Sequence, residues 1–333
     1  MSDTSNDAVE LRVHQLRASQ KGRGRDATSP FGIPRKGWKD ILLRTKEEIG
    51  NDRVTLSAAG VTFYLLLALF PALAAFISLY GLVADPLTLT EHMAALRGIV
   101  PASVVELVRG ELERLSKLPS GGLTFGVIFG VVAALWSADA GTRALFEAMN
   151  IAYDETEKRS FVQLRLRSLG FTGGGILFGV ILLNVVVVLP ALLQAFHLDG
   201  IYTAFSAVFQ AVLILTVANG GIALLYRYGP SRSTAKWNWI FAGSSAAAVI
   251  WLLLSWAFSF YMANFADYSA TYGSLGATVG LMMWIYLTSL VLVAGAELNS
   301  EIEHQTAKDS TTGTPKPLGE RGATMADTVG SKA

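Results

Sequence analysis

Cysteine is absent from all 333 residues. That excludes disulfides, thiolate metal centres and thiol nucleophiles. Charge is scarce as well: 16% of residues are Asp, Glu, Lys or Arg. A soluble domain carries roughly 25%. Four scattered histidines, His14, His92, His197 and His304, argue against a His-rich metal centre. No phosphate-binding loop of the Walker type is present, and no basic groove with interleaved aromatics. What remains is apolar residues, 52% of the chain, the composition of a membrane protein.

The charges are excluded from six stretches. Val54–Ala84, Leu118–Ala138, Ser168–Leu198, Gly200–Tyr226, Trp237–Ala266 and Tyr268–Ala296 contain no Asp, Glu, Lys or Arg. Each is longer than the roughly 20 helical residues that cross a hydrocarbon core. None shows the short alternating pattern of a membrane β-strand. The expected fold is therefore all-α, a bundle of six transmembrane helices at about 57–83, 119–140, 168–190, 202–226, 238–261 and 275–297. More than fifty polar residues precede the first run, so no cleavable signal peptide is read and the first span is expected to stay as an anchor.

Lysine and arginine set the orientation. Residues 1–53 hold eleven, the loop 85–117 four, the segment 139–167 five, the loop 227–236 three and the tail after Ala296 four, with none in 190–201 or 262–274. Alternate segments are thus basic, and the positive-inside rule puts both termini in the cytoplasm. The expected organisation is a disordered tail over 1–35, a membrane domain over 36–303 and a disordered tail over 304–333. Within 36–53, Trp38, Ile41, Leu42 and Ile49 fall near one helical face among basic residues. This reads as an interfacial helix on the inner leaflet, with a solvated linker helix as the alternative. The extracytoplasmic loop 85–117 reads as two amphipathic helices broken at Pro101. Pro71 is expected to kink the first span.

Polar residues at membrane depth are the candidates for function. Asp139, Arg143 and Glu147 recur at i, i+4, i+8, and Asn150 extends the set inward. One reading is an intrahelical ladder at a helix end. The other brings Arg143 to Glu297, at the same depth on the sixth span. A second group, Asn264, Asp267, Tyr268, Tyr272 and Gly273, interrupts two apolar runs and reads as an outer turn or lid. Small-residue pairs such as Gly126–Gly130 and Gly276–Gly280 indicate close helix packing within the bundle, with a seam between two copies as the lesser alternative.

Several segments together carry a family resemblance: AAGVTFYLLLALFPALAAFISLYG, LWSADAGTRALFEAMNIAYD with RSFVQLRLRSL, LYRYGP, and NFADYSATYGSLGATVGLMMWIYLTSLVLVAGAELNSEIE. The chain resembles the YihY/virulence factor BrkB family of bacterial inner-membrane proteins over roughly residues 40–303. The resemblance implies a six-helix protein of the cytoplasmic membrane. A ribonuclease BN label has been attached to this family. The sequence argues against it, since no His-x-His-x-Asp run or clustered acid/base pair is visible.

The expectation is a transporter-like or lipid-handling protein of the cell envelope, not an enzyme, without catalytic residues, metal or cofactor. Its expected partners are membrane lipids and a second copy of itself, and not nucleic acid. A scaffold for envelope assembly is the alternative, and a membrane-bound enzyme a third reading.

Overall fold

The computed structural model describes residues 3–81, 110, 123–195, 199–264 and 276–332. It is all-α. Helices α1 (Asp3–Ala18) and α2 (Arg35–Asn51) precede six long ones. These are α3 (Val54–Gly81), α4 (Leu123–Ala152), α5 (Phe161–Ala195), α6 (Asp199–Tyr228), α7 (Trp237–Asn264) and α8 (Gly276–His304). A short α9 (Thr324–Asp327) lies in the C-terminal segment. The apolar runs form helices because leucine and alanine favour them and each helix satisfies its own backbone. Helix α3 continues through Pro71 without interruption. Two helices, Trp237–Met262 and Thr278–His304, are long and apolar enough to cross a membrane by length and composition.

Helix α8 is the centre of the packing. It lies against α7, α3, α2 and α4, while α3 pairs with α4, α6 with α7 and α4 with α5. Gly295 makes this possible: a Cβ there would stand 2.6 Å from the Cβ of Ala247 and collide with the Tyr226 hydroxyl. The Tyr226 hydroxyl instead donates to the Leu292 carbonyl at 2.8 Å. The core beside it holds Val61, Phe146, Met149, Tyr153, Ile240 and Val293. The outward faces stay apolar. Leu67, Trp136, Leu177, Leu253, Trp256 and Phe260 are exposed, and only 28% of the apolar window of α7 is buried within the protein. Such a large uncovered apolar face marks an interaction surface.

At one end of the bundle the structure departs from expectation. The tails 1–35 and 304–333, expected to be disordered, pack on the helices over their described parts. Burial of Met325, Ala326 and Val329 contributes. Buried arginines contribute as well. Arg25 donates to the carbonyls of Gln305 at 3.1 Å and Gly330 at 2.7 Å. Arg44 reaches Glu301 Oε2 at 2.5 Å, Gln305 Oε1 at 2.8 Å and the Ser331 carbonyl at 2.8 Å. Arg321 donates to the carbonyls of Ala326 at 2.6 Å and Ala307 at 2.8 Å. The Asp327 carboxylate accepts from the backbone N–H groups of Gly319, Arg321 and Gly322 at 2.8–2.9 Å. A polar segment without apolar periodicity can thus be fixed by charge-assisted hydrogen bonds to main-chain carbonyls.

Helix α2 also differs from a helix resting on a leaflet by an apolar face. Gly37, Asp40, Ile41, Arg44 and Thr45 are its buried residues. Ile41 joins a small core with Ala27, Ile33, Trp239 and Ile302, against which Trp38 packs. Leu42, one residue and about 100° further round, is exposed. The paired helices expected in the loop 85–117 lie outside the described residues apart from Gly110.

The Arg232–Glu303 pair, 2.8 Å apart with both side chains at 0% exposure, generates the first prediction. Glu303→Ala leaves Arg232 buried without its carboxylate. It should destabilise the protein by about 3–5 kcal/mol. Replacing both partners by Met and Leu should recover most of that loss. Thermal unfolding in detergent reads both, and equal loss in the two variants would contradict the assignment.

Candidate functional site

The first site-forming feature is the length of α4. It runs to Ala152, well past the last charge-free residue Ala138, because the sequence between is rich in the helix formers Ala, Leu, Glu and Met. Asp139 is therefore carried into the bundle and is 0% exposed. Its Oδ2 accepts from Arg143 Nε at 3.0 Å and from Arg165 of α5 at 2.5 Å. The Arg165 guanidinium lies over the rings of Trp136 at 4.3 Å and Phe161 at 5.3 Å. Two guanidinium groups on one carboxylate leave a surplus positive charge, held in place by stacking and helix packing. A Thr142–Thr172 hydroxyl hydrogen bond of 2.7 Å joins α4 to α5 on the same side.

Beside this charge cluster a cavity of about 390 Å³ opens between α3 and α4. Ser57, Tyr64, Arg143 and Glu147 give it polar walls, and Val61, Ala144, Ile151 and Leu164 give it apolar ones. Arg143 is one-third exposed and Glu147 is exposed. Among the described residues Glu147 has no ion pair. Asp139 holds Arg143 by its Nε, one turn toward the helix start, so the i, i+4 contact to Glu147 is not made.

The five inner candidates thus separate into three places. Arg143 and Glu147 belong to the cavity wall, and Asp139, fully buried behind it, holds Arg143. Asn150 does not: its amide donates to Glu157 Oε2 at 3.1 Å and its oxygen accepts from the Ser231 N–H at 2.7 Å. It ties the loop after α4 to the loop before α7. Glu297 does not meet Arg143, which corrects that pairing. It is 1% exposed, hydrogen-bonded to the Asp52 carboxyl, and its Oε1 has no partner. Burial raises the Asp52 carboxyl above its ordinary range; the hydrogen bond from Glu297 opposes this and Glu48 adds to it. The physical reason for the separation is that Arg143 has a nearer acid one turn away on its own helix.

Of the outer group, Asn264 ends α7 and its side chain donates to the Phe260 carbonyl at 2.8 Å. Asp267, Tyr268, Tyr272 and Gly273 lie outside the described residues. Sequence reasoning missed Arg165, Tyr64 and Ser57. Trp136, Asp139 and Phe161 were the available signal for Arg165, since a buried carboxylate flanked by aromatics calls for a stacked cation. Tyr64 and Ser57 gave none, because their place depends on which face of α3 meets α4.

The chain as a whole has counterparts among known proteins. A family model described as Virulence factor BrkB matches residues 45–318. The chain belongs to the virulence factor BrkB family. Within reach of that family, the ribonuclease-like protein YfkH of Bacillus subtilis (strain 168) is 32% identical over 73% of this chain and 88% of its own length. A UPF0761 membrane protein of Verminephrobacter eiseniae (strain EF01-2) is 27% identical over 79% of this chain and 62% of its own length. One of Vibrio atlanticus (strain LGP32) is 26% identical over 77% and 80%. The chain therefore matches less than two thirds of the Verminephrobacter relative. No solved structure matches the chain. The matched span of this BrkB-family chain includes α3 to α8 and hence the cavity, and it leaves out α1 and α9.

The loop after α4 carries a pH dependence. Burial raises the Glu157 carboxyl, but hydrogen bonds from the Arg159 side chain and backbone and from Asn150 outweigh it and hold it down to about 2. A depressed carboxyl stabilises the fold above its ordinary value and loses that contribution as pH falls toward its folded value. Wild type should lose stability between about pH 4.5 and about pH 2, and Glu157→Gln should lose less across the same window. Unfolding midpoints measured against pH test this; parallel curves would contradict it.

Proposed function

We propose that this BrkB-family protein handles membrane lipid in the cytoplasmic membrane, with the cavity between α3 and α4 as its site. One observation carries the reading: the cavity joins a fixed guanidinium and a free carboxylate to an apolar wall, at the surface of helices whose outer faces are apolar. That is the arrangement an amphiphile requires, charge for the headgroup and apolar surface for the chain.

The reading takes α3 to α8 as six membrane spans. Each has 28 to 35 residues, so at 1.5 Å per residue each exceeds the roughly 30 Å of the hydrocarbon core. The lysine and arginine distribution supports cytoplasmic termini. With that orientation the cavity lies at the level of the inner leaflet. The ribonuclease-like name of YfkH is not carried over. Among the described residues no group of three or more His, Asp or Glu could hold a metal ion.

Orientation is directly testable because the chain has no cysteine. A thiol placed by Thr90→Cys, in the loop after α3, should react with a membrane-impermeant maleimide in intact cells. One placed by Thr314→Cys, in the C-terminal segment, should react only after lysis. The reverse pattern would invert the topology.

Function is tested in liposomes. Protein reconstituted with fluorescent phospholipid should speed its movement between leaflets relative to empty vesicles, and Arg143→Gln should remove at least about nine-tenths of the excess rate, the loss of one charge-assisted contact. Wild-type vesicles indistinguishable from empty ones would sink the lipid-handling reading and favour a scaffold role.

A further inference from the structure

The charge pattern of the cavity selects among headgroups. Asp139 is shared by Arg143 and Arg165, so that group carries one net positive charge. Glu147 lies four residues further along α4, a rise of about 6 Å, exposed in the same cavity and without an ion pair among the described residues. The wall therefore presents a cation and an anion in sequence, and each is held from neutralising the other because Asp139 claims the Arg143 Nε. An anionic headgroup would satisfy Arg143 and meet repulsion from Glu147. A purely cationic one would do the opposite. A zwitterion with its two charges about one turn apart satisfies both.

We propose that the cavity binds the headgroup of an aminophospholipid, phosphatidylethanolamine being the simplest, with phosphate on Arg143 and primary ammonium on Glu147. This rests on the lipid-handling reading of the same cavity. Glu147 distinguishes ethanolamine from choline. A primary ammonium donates N–H hydrogen bonds to a carboxylate, whereas a quaternary ammonium has none to give and is favoured by aromatic cages. Tyr64 is the one aromatic among the residues lining the cavity, which is not a cage. Ser57 and Tyr64, from α3, add hydroxyls on the opposite wall. The acyl chains leave over the exposed apolar residues of α3, Leu56, Phe63 and Leu67, which commits the ligand to an intact lipid and not a soluble phosphoamine.

The test is competitive lipid retention by the full chain, purified in detergent with an equimolar mixture of phosphatidylethanolamine, phosphatidylglycerol and phosphatidylcholine of matched chains, and read by native mass spectrometry. Wild type should retain phosphatidylethanolamine over both others. Glu147→Gln should reduce the preference over phosphatidylglycerol by about tenfold, the weight of one charge-assisted hydrogen bond. Arg143→Gln should lower retention of both phosphatidylethanolamine and phosphatidylglycerol, and Arg143→Lys should restore part of it. Glu147 is exposed and unpaired, so its variant should fold as wild type does, with an unchanged unfolding midpoint. Excess glycerophosphoethanolamine should not displace the lipid. Retention in the proportions of the mixture, an unchanged preference in Glu147→Gln, or full displacement by glycerophosphoethanolamine would each overturn the proposal. Lipid movement without headgroup preference would sink this inference alone, and selective retention without movement would sink the broader reading alone.

Discussion

The buried arginine–carboxylate pairs at the end of the bundle that carries both termini are the interaction on which the remaining structure depends. Arg44 with Glu301 and Arg232 with Glu303 put two cations of different segments onto one face-rich stretch of α8. Buried ion pairs are expensive to desolvate, and their net stabilisation is modest. Their consequence here is registration. The Arg232 guanidinium also lies 4.3 Å over the Tyr153 ring, and Ser310 donates to the other oxygen of Glu303 at 2.7 Å. One carboxylate therefore fixes the end of α4, the loop before α7 and the start of the C-terminal segment relative to α8. An apolar interface between the same elements would permit sliding; a directional ion pair with its hydrogen bonds does not.

That registration reaches the cavity. Helix α4 is held at its Tyr153 end by the cap and at Asp139 by two arginines. Between these two anchors lie Arg143 and Glu147, so the cavity wall is the stretch of helix between fixed points. Rigid support behind exposed charges is what a binding surface needs, because the ordering cost is met in folding and not at binding. The side facing α3 is looser in its chemistry, formed by Ser57, Gly60 and Tyr64, small or amphipathic residues.

The long helices were legible in the sequence because their signal is local: a run without charge must either cross a membrane or be buried. Helix ends were less legible. Helices α4 and α5 each extend beyond the charge-free runs, since Arg143 and Arg165 are good helix formers and the change from apolar to charged marks depth and not an end. The tails were misread for a physical reason. Disorder is inferred when a segment cannot bury enough apolar surface, yet residues 305–332 are held in part by arginine hydrogen bonds to carbonyls across some 280 to 305 positions of chain. No local pattern announces such contacts. The same limit applies to the site. Asp139 and Arg143 at i, i+4 could be read directly, whereas Arg165, Tyr64 and Ser57 come from other helices, and the Arg143–Glu297 pairing failed because equal depth does not imply a shared face.

The long-range closure of the cap also has a consequence for biogenesis. Residues 305–332 must leave the ribosome before Arg25 and Arg44 can find the carbonyls of Gly330 and Ser331. At ~5–20 residues per second, the interval is roughly 15 to 60 s. Throughout it these N-terminal arginines lack the carbonyl partners that hold them in the folded protein. This end of the bundle is therefore the last to close, and the N-terminal segment takes its final place only when the whole chain has been made.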